Sequence, residues 1–285
     1  MNYTYDSKWV RQIIDLQHTD GSWGYFHTLS KPTKDRPITT EQALRRLEIL
    51  GLTKNDDSIQ KALGYMRGCL SGKQQIPDNW EKGHNWDIYI NLMLSTWIRR
   101  FDPQDTLALQ AAQGWTRIIT CAFSSGLYEH EKYISAFEKY FSQKPRGGRL
   151  IDFSQFYIVS LLQGLLDGRT EAAFVNYIIT HDPGIYYVYD KRIADLPKEF
   201  ASRQANAYLA ALEYLEGYSC AGEKLKFATE WIKSHQDENG QWDMGTSVKD
   251  CIHFPLSDSW RKLEDRKKDC TIRIERLLER LESVS

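Results

Sequence analysis

Two carboxylates stand where acid chemistry is easiest to arrange. Asp87 lies at the start of segment 86–98, which holds Trp86, Ile88, Tyr89, Ile90, Leu92, Met93, Leu94, Trp97 and Ile98. Asp152 precedes segment 153–166, with Phe153, Phe156, Tyr157, Ile158, Val159, Leu161, Leu162, Leu165 and Leu166. A helix that is apolar on every face must be buried on every face. A carboxyl in its first turn then loses hydration, and its pKa is expected to rise unless a cation such as Arg203 or Arg261 offsets the burial. A carboxyl that holds its proton near neutral pH suits a general acid. The rings of Trp86, Tyr89, Phe156, Tyr157, Tyr208 and Trp260 could add faces that attract cations, although the same rings also fill cores.

Other chemistry is weakly represented. Asp250-Cys251-Ile252-His253 and Asp269-Cys270 bring zinc-ligand residue types together. Loop polarity and a helix seam account for them, so neither a metal nor a cofactor is assigned. Asp56-Asp57 falls at an expected helix start, where capping and the helix dipole explain acidic side chains. No Gly-x-Ser-x-Gly elbow supports a serine triad, and no glycine loop is arranged to cradle phosphate.

The elements that must position these residues are helical. Periodicity and stop signals predict helices near 6–17, 39–51, 56–69, 85–101, 104–122, 127–142, 153–166, 169–180, 199–216, 222–235 and 260–283. Proline and glycine fall between them, as at Lys31-Pro32, Ile76-Pro77, Lys144-Pro145-Arg146-Gly147-Gly148 and Asp182-Pro183-Gly184. The run Ile185-Tyr186-Tyr187-Val188-Tyr189 reads as an extended loop. Segments 86–98, 153–166 and 205–215 are apolar all round. By contrast 129–141 is expected to bury only Ile134, Phe137, Tyr140 and Phe141, 222–235 is amphipathic, and the last helix carries a stripe of Leu263, Cys270, Ile274, Leu277, Leu281 and Val284. Buried helices alternating with half-buried ones describe an inner ring of helices within an outer ring.

Composition bounds the rest. A chain of 285 residues with 41% hydrophobic and 13% aromatic residues can bury a large core. A net charge of -1 lacks the basic footprint of a nucleic-acid binder, so no nucleic-acid partner is expected. No apolar run reaches the roughly 18 residues of a membrane span. The five scattered cysteines and an opening without a signal-peptide pattern predict a reduced, cytoplasmic protein.

One motif occurs near both ends. Gln17-His18-Thr19-Asp20-Gly21-Ser22-Trp23 and Gln236-Asp237-Glu238-Asn239-Gly240-Gln241-Trp242 both read Gln-x-x-x-Gly-x-Trp after an amphipathic helix, as repeats of one unit would. Asn79-Trp80 and Gly147-Gly148 stand where further turns would fall, without the full pattern. The motif resembles the QW repeat of squalene–hopene cyclases and the related turns of protein prenyltransferase β subunits. The resemblance implies an all-α fold, a single α/α toroid of concentric inner and outer helices over residues 1–285. In such folds the Gln and Trp tie a helix end to the next helix. The Asp-x-Asp-Asp motif by which class II cyclases protonate an alkene is absent, as is a diphosphate–magnesium Asp-Asp-x-x-Asp, and the prenyltransferase zinc spacing is not reproduced.

The resemblance also implies a chamber at the starts of the inner helices. It collects Thr39, Thr40 and Glu41; His84, Asn85, Trp86, Asp87 and Tyr89; Asp152, Gln155 and Tyr157; Arg203, Gln204 and Asn206; and Asp258, Trp260 and Arg261. Of these Asp87 and Asp152 are the candidate acids, and His84, Trp86, Tyr89, Gln155, Tyr157, Arg203, Gln204, Asn206, Trp260 and Arg261 the candidate substrate contacts. Thr39, Asn85, Asp152 and Ser257 or Asp258 also suit N-caps. Three readings stay open: a terpenoid cyclase- or prenyltransferase-like enzyme, a non-catalytic scaffold for an apolar or isoprenoid-like ligand or a protein, and a carbohydrate-active toroid with paired carboxylates. Peripheral membrane contact through an apolar entrance is compatible with the first two. Fold alone does not decide among them, and oligomeric state is not legible.

Overall fold

Several helix starts in this chain are set by short polar side chains that satisfy the orphan N–H groups of a first turn. Thr39 forms a capping box with Gln42, each side chain bonding the other's backbone N–H at 3.2 and 3.1 Å. Asp167 accepts from the N–H groups of Arg169 and Thr170, and Ser202 accepts from Ala205 at 3.1 Å. Asp56 occupies an N-cap position, but its carboxylate turns back to the N–H of Thr53 at 2.6 Å.

The computed structural model describes residues 7–28, 30–31, 33–79, 83–148, 150–248 and 260–283. Trp80, Asp250, Cys251, His253, Ser257, Asp258 and Val284 lie outside them. The described residues contain twelve α-helices and no strand. These are α1 (Lys8–Ile14), α2 (Thr40–Ile49), α3 (Asp57–Leu70), α4 (Trp86–Phe101), α5 (Thr106–Ala122), α6 (His130–Phe141), α7 (Phe156–Leu161), α8 (Gly168–Thr180), α9 (Arg203–Leu215), α10 (Ala221–Lys224), α11 (Lys226–Lys233) and α12 (Leu263–Ser283). The chain divides into two compact units, Met1–Ala112 and Gln113–Ser285. No described helix is long and apolar enough to cross a membrane.

Several boundaries differ from expectation, and the differences matter later. The helix expected over 153–166 is only six residues long. Residues 152–155 form a turn in which Asp152 accepts the Ser154 N–H at 2.8 Å, and a left-handed Gly164 (φ 71°) prevents continuation. The helix expected over 222–235 is divided at Leu225. In α6 the buried pair is Tyr133 and Phe137, whereas Tyr140 is exposed and lies over Gly114. In α12 the buried stripe runs Cys270, Ile274, Leu277, Leu278 and Leu281, while Leu263 is exposed.

The two Gln-x-x-x-Gly-x-Trp turns are built alike, one in each unit. Gln17 Nε2 donates to the carbonyl of Gly21, and Gln236 Nε2 to that of Gly240, both at 2.9 Å. Trp23 Nε1 donates to Ile13 in α1 at 2.7 Å, and Trp242 Nε1 to Ile232 in α11 at 2.8 Å. The backbone N–H of Trp23 reaches Thr40 Oγ1 at the start of α2, and that of Trp242 reaches Thr271 Oγ1 in α12. Each indole is buried, so one residue closes a helix end and fixes the next helix against it. The glycines differ in surroundings. Both have positive φ, 94° at Gly21 and 75° at Gly240, but a Cβ on Gly21 would sit 2.3 Å from the Lys61 carbonyl oxygen in α3, whereas one on Gly240 would meet only the Gln236 amide at 3.5 Å.

In unit two α9 and α12 run side by side in the same sense. Arg273 holds Asn206 at 2.5 Å and Glu213 at 2.6 and 2.9 Å, and farther along Arg280 pairs with Glu216. Burial pushes the Glu216 carboxyl up to about 7, overcoming the opposing pull of Arg280.

Trp23→Ala and Trp242→Ala should each lower the unfolding free energy by about 3–5 kcal/mol, read from denaturant midpoints; wild-type midpoints would remove the indole from its assigned role. Gly240→Ala should cost about 1–2 kcal/mol, the price of a left-handed alanine, and Gly21→Ala distinctly more, because its Cβ also meets backbone. Since the Glu216 carboxyl is raised in the fold above its ordinary value of 4.5, its contribution is fully present below that value and is lost as pH rises towards about 7. Glu216→Gln should flatten that part of a melting-temperature profile. An unchanged profile would place the titration elsewhere.

Candidate functional site

The sequence-derived residues fall into both units, and each group is described in its own. In unit one Asp78 accepts from the N–H groups of Phe26 and His27 at 2.6 and 2.9 Å and from Ser30 Oγ at 2.6 Å. Glu41, fully buried in the first turn of α2, accepts from the N–H and hydroxyl of Thr28 at 2.8 and 2.5 Å and from Trp97 Nε1 at 2.9 Å. These two carboxylates hold Phe26, His27, Thr28 and Ser30 in place. His27 thereby places Nε2 3.3 Å from the Tyr89 hydroxyl. His84 stacks on the same phenol at 5.3 Å, and Trp86 lies 6.0 Å from it. The His84 Nδ1 is buried without a hydrogen-bond partner. Thus His84, Trp86 and Tyr89 are brought together, joined by His27, which the sequence reading missed. Asp87 is exposed: α4 is buried all round only over Leu92–Ile98, while Asp87 and Asn91 face water. The burial expected of Asp87 does not occur.

In unit two α7 packs against α9. Both begin beside residues 185–189. The Tyr186 N–H donates to the Ser154 carbonyl at 3.2 Å, and Gln155 forms a bridge with Tyr186. The Tyr189 hydroxyl accepts from Gln204 Nε2 at 3.2 Å, while Lys191 donates to Gln204 Oε1 at 3.1 Å. The Tyr189 ring lies 5.4 Å from Tyr208. The two helices end together, where Gln163 Nε2 donates to the Tyr214 carbonyl at 2.7 Å. Gln155, Tyr157, Gln204 and Tyr208 therefore gather at the common start of α7 and α9, and residues 185–189 link them. The hydroxyls of Ser154 and Tyr208 are buried there without hydrogen-bond partners, and burial pushes the Tyr208 phenol well above its ordinary range.

The remaining residues are occupied otherwise. Asn206 is bound by Arg273. Exposed Arg203 donates to the Ser247 carbonyl at 3.3 Å, and Arg261 is exposed. Trp260 is buried and donates to Asp269 at 2.7 Å, and Arg266, gripping Asp243 at 2.6 and 2.7 Å, donates to the Trp260 carbonyl. Beside Asp269, burial pushes the Cys270 thiol up to about 12. Among the described residues no three His, Cys, Asp or Glu side chains are grouped to hold a metal.

Asp152 is exposed because the helix starts four residues later than the carboxylate. Its neighbours are aromatic. Tyr128, Phe153 and Tyr177 form a triangle with ring centroids 4.8, 5.1 and 5.1 Å apart, and Tyr133 adds a fourth ring 5.3 Å from Phe153. Burial raises the phenols of Tyr128, Tyr133 and Tyr177, and the Asp152 charge raises all three further. Sequence reading did not find these tyrosines; they lie on three separate elements, and the fold alone assembles them. No protein-family model, curated protein or solved structure matches the chain.

Proposed function

We propose that the chain is a toroid of the cyclase and prenyltransferase kind that binds an apolar or isoprenoid-like small molecule without turning it over, at the starts of α7 and α9. The observation that carries this reading is the packing of Tyr189 against Tyr208 beside the start of α7, where the hydroxyls of Ser154 and Tyr208 are buried and find no hydrogen-bond partner among the described residues. Buried polar groups are almost always hydrogen-bonded, so apolar walls with two such hydroxyls suit a ligand with a hydrocarbon body and one polar head. The similarly oriented neighbours α7, α9 and α12, and the matching turns that close α1 and α11, are what an α/α arrangement requires. Binding is favoured over catalysis because protonating an alkene demands an acid shielded from water, and Asp87 and Asp152 are both exposed. A cytoplasmic location and peripheral access from a membrane belong to the same proposal.

Tyr208→Phe separates this reading from simple core packing. Removing an unsatisfied buried hydroxyl should leave stability unchanged or raise it by up to about 1 kcal/mol. Meanwhile the affinity for a prenyl alcohol, followed by quenching of intrinsic tryptophan fluorescence, should fall about five- to tenfold. Mass spectrometry of an organic extract of the purified protein should find the natural occupant. A chain that carries no lipid-like molecule and shows no saturable quenching would overturn the proposal, and conversion of the prenyl alcohol would overturn its non-catalytic part. Asp87→Asn and Asp152→Asn should both fold normally, with melting temperatures near wild type.

A further inference from the structure

The Asp152 carboxylate has more electrostatic influence than structural employment. Its one hydrogen bond is to the Ser154 N–H two residues on, at 2.8 Å, and it makes no ion pair among the described residues. Yet its charge acts on the hydroxyls of Tyr128, Tyr133 and Tyr177 together, after burial and neighbouring phenols. No lysine or arginine among the described residues offsets that charge at any of the three. The result is an exposed negative charge beside an aromatic cluster, with no counter-charge among the described residues.

The cluster is held firmly. Tyr133 is fixed by donating to the Ile151 carbonyl at 2.6 Å, one residue before Asp152. The Tyr128 hydroxyl is 2.8 Å from His130 Nδ1, and His181 stacks on Tyr177 at 4.6 Å. Tyr128, Phe153 and Tyr177 tilt against one another by 42–58°. Tyr128 and Tyr177 are only half-buried, so part of each ring meets solvent.

Ring faces carry negative quadrupole density and attract cations, most strongly when water is partly excluded. A carboxylate at the rim adds a full charge of the same sign. Anions are repelled by this arrangement. A hard metal ion would need six or more oxygen ligands, which one carboxylate cannot supply. An alkylated ammonium group meets both features, its charge on Asp152 and its methyl groups on the rings. We propose that Asp152 with Tyr128 and Tyr177 forms a binding site for an alkylated ammonium ion. The site adjoins Ser154 through the Asp152 hydrogen bond, but it uses other side chains than those proposed for the isoprenoid ligand and does not rest on that reading.

Titration of the full chain with tetramethylammonium chloride tests the assignment, with sodium chloride at equal ionic strength as control and side-chain NMR shifts of the tyrosines as readout. Saturable shifts at Tyr128 and Tyr177 are expected with tetramethylammonium and not with sodium. Asp152→Asn should weaken binding at least tenfold and Asp152→Glu should recover part of it. Tyr177→Phe, which keeps the ring, should stay within twofold of wild type, and Tyr177→Leu should weaken binding at least fivefold. Asp87→Asn removes an equally exposed carboxylate in the other unit and should change nothing. Equal affinity in wild type and Asp152→Asn, or shifts of the same size with sodium, would overturn the proposal.

Discussion

The fold depends on how a helix end is closed. The last carbonyls of any helix lack intrahelical partners and must be satisfied from outside. In α1 and α11 this is done by a buried indole that donates to a last-turn carbonyl while its own backbone N–H bonds a threonine on the following helix. One tryptophan thus meets two obligations, and it sets the angle at which the chain re-enters the core. The glutamine and the left-handed glycine are secondary, since they shape the turn that delivers the indole. This explains why the sequence keeps a Gln, a Gly and a Trp at fixed spacing while the intervening residues differ completely between the copies.

The buried acids of this chain do structural work. Glu41, helped by half-buried Asp78, holds Phe26, His27, Thr28 and Ser30, and Glu171 accepts from Ser219 and Cys220 to fasten the entry to α10. Asp269 takes the Trp260 indole. Each buried carboxylate is engaged by donors of the protein, as burial of a charge requires. A carboxylate fully committed in this way is poorly suited to moving protons. Asp87 and Asp152 have the opposite character, hydrated and nearly unencumbered, and what they can offer a ligand is charge.

The helices were legible in the sequence because their signal is local. Apolar periodicity, Thr39 at a helix start, and proline or glycine between segments place most boundaries within a few residues. The errors have physical causes. Asp152 was expected to be desolvated because Phe153 looked like the first residue of a buried helix; the Asp152–Ser154 turn delays that helix to Phe156 and leaves the carboxylate in water. The start of α7 and α9 was readable as a set of residue types, Gln155, Tyr157 and Gln204. The segment that joins them, Ile185–Tyr189, has contacts that no local pattern encodes. The same holds for Tyr128 and Tyr177, which are ordinary loop and helix aromatics until the fold sets them beside Asp152.

The α9–α12 seam shows why residue type alone misassigns polar groups. Asn206 lies in the first turn of a buried helix and looks available to a ligand. In the fold it shares Arg273 with Glu213, so its amide oxygen is committed to aligning two helices. One turn further along the seam Arg280 meets Glu216, yet burial still holds that carboxyl near neutrality. The two pairs are alike in composition and unlike in solvation: the Arg273 side chain is 8% exposed and that of Arg280 is 48% exposed. The acids differ too, Glu213 being 29% exposed and Glu216 11%, and it is the burial of Glu216, with the nearby Glu213 charge, that outweighs half-hydrated Arg280. An arginine partner alone therefore does not fix an acid as a charge: Glu216 keeps Arg280 and its carboxyl is still raised to about 7 by its own burial.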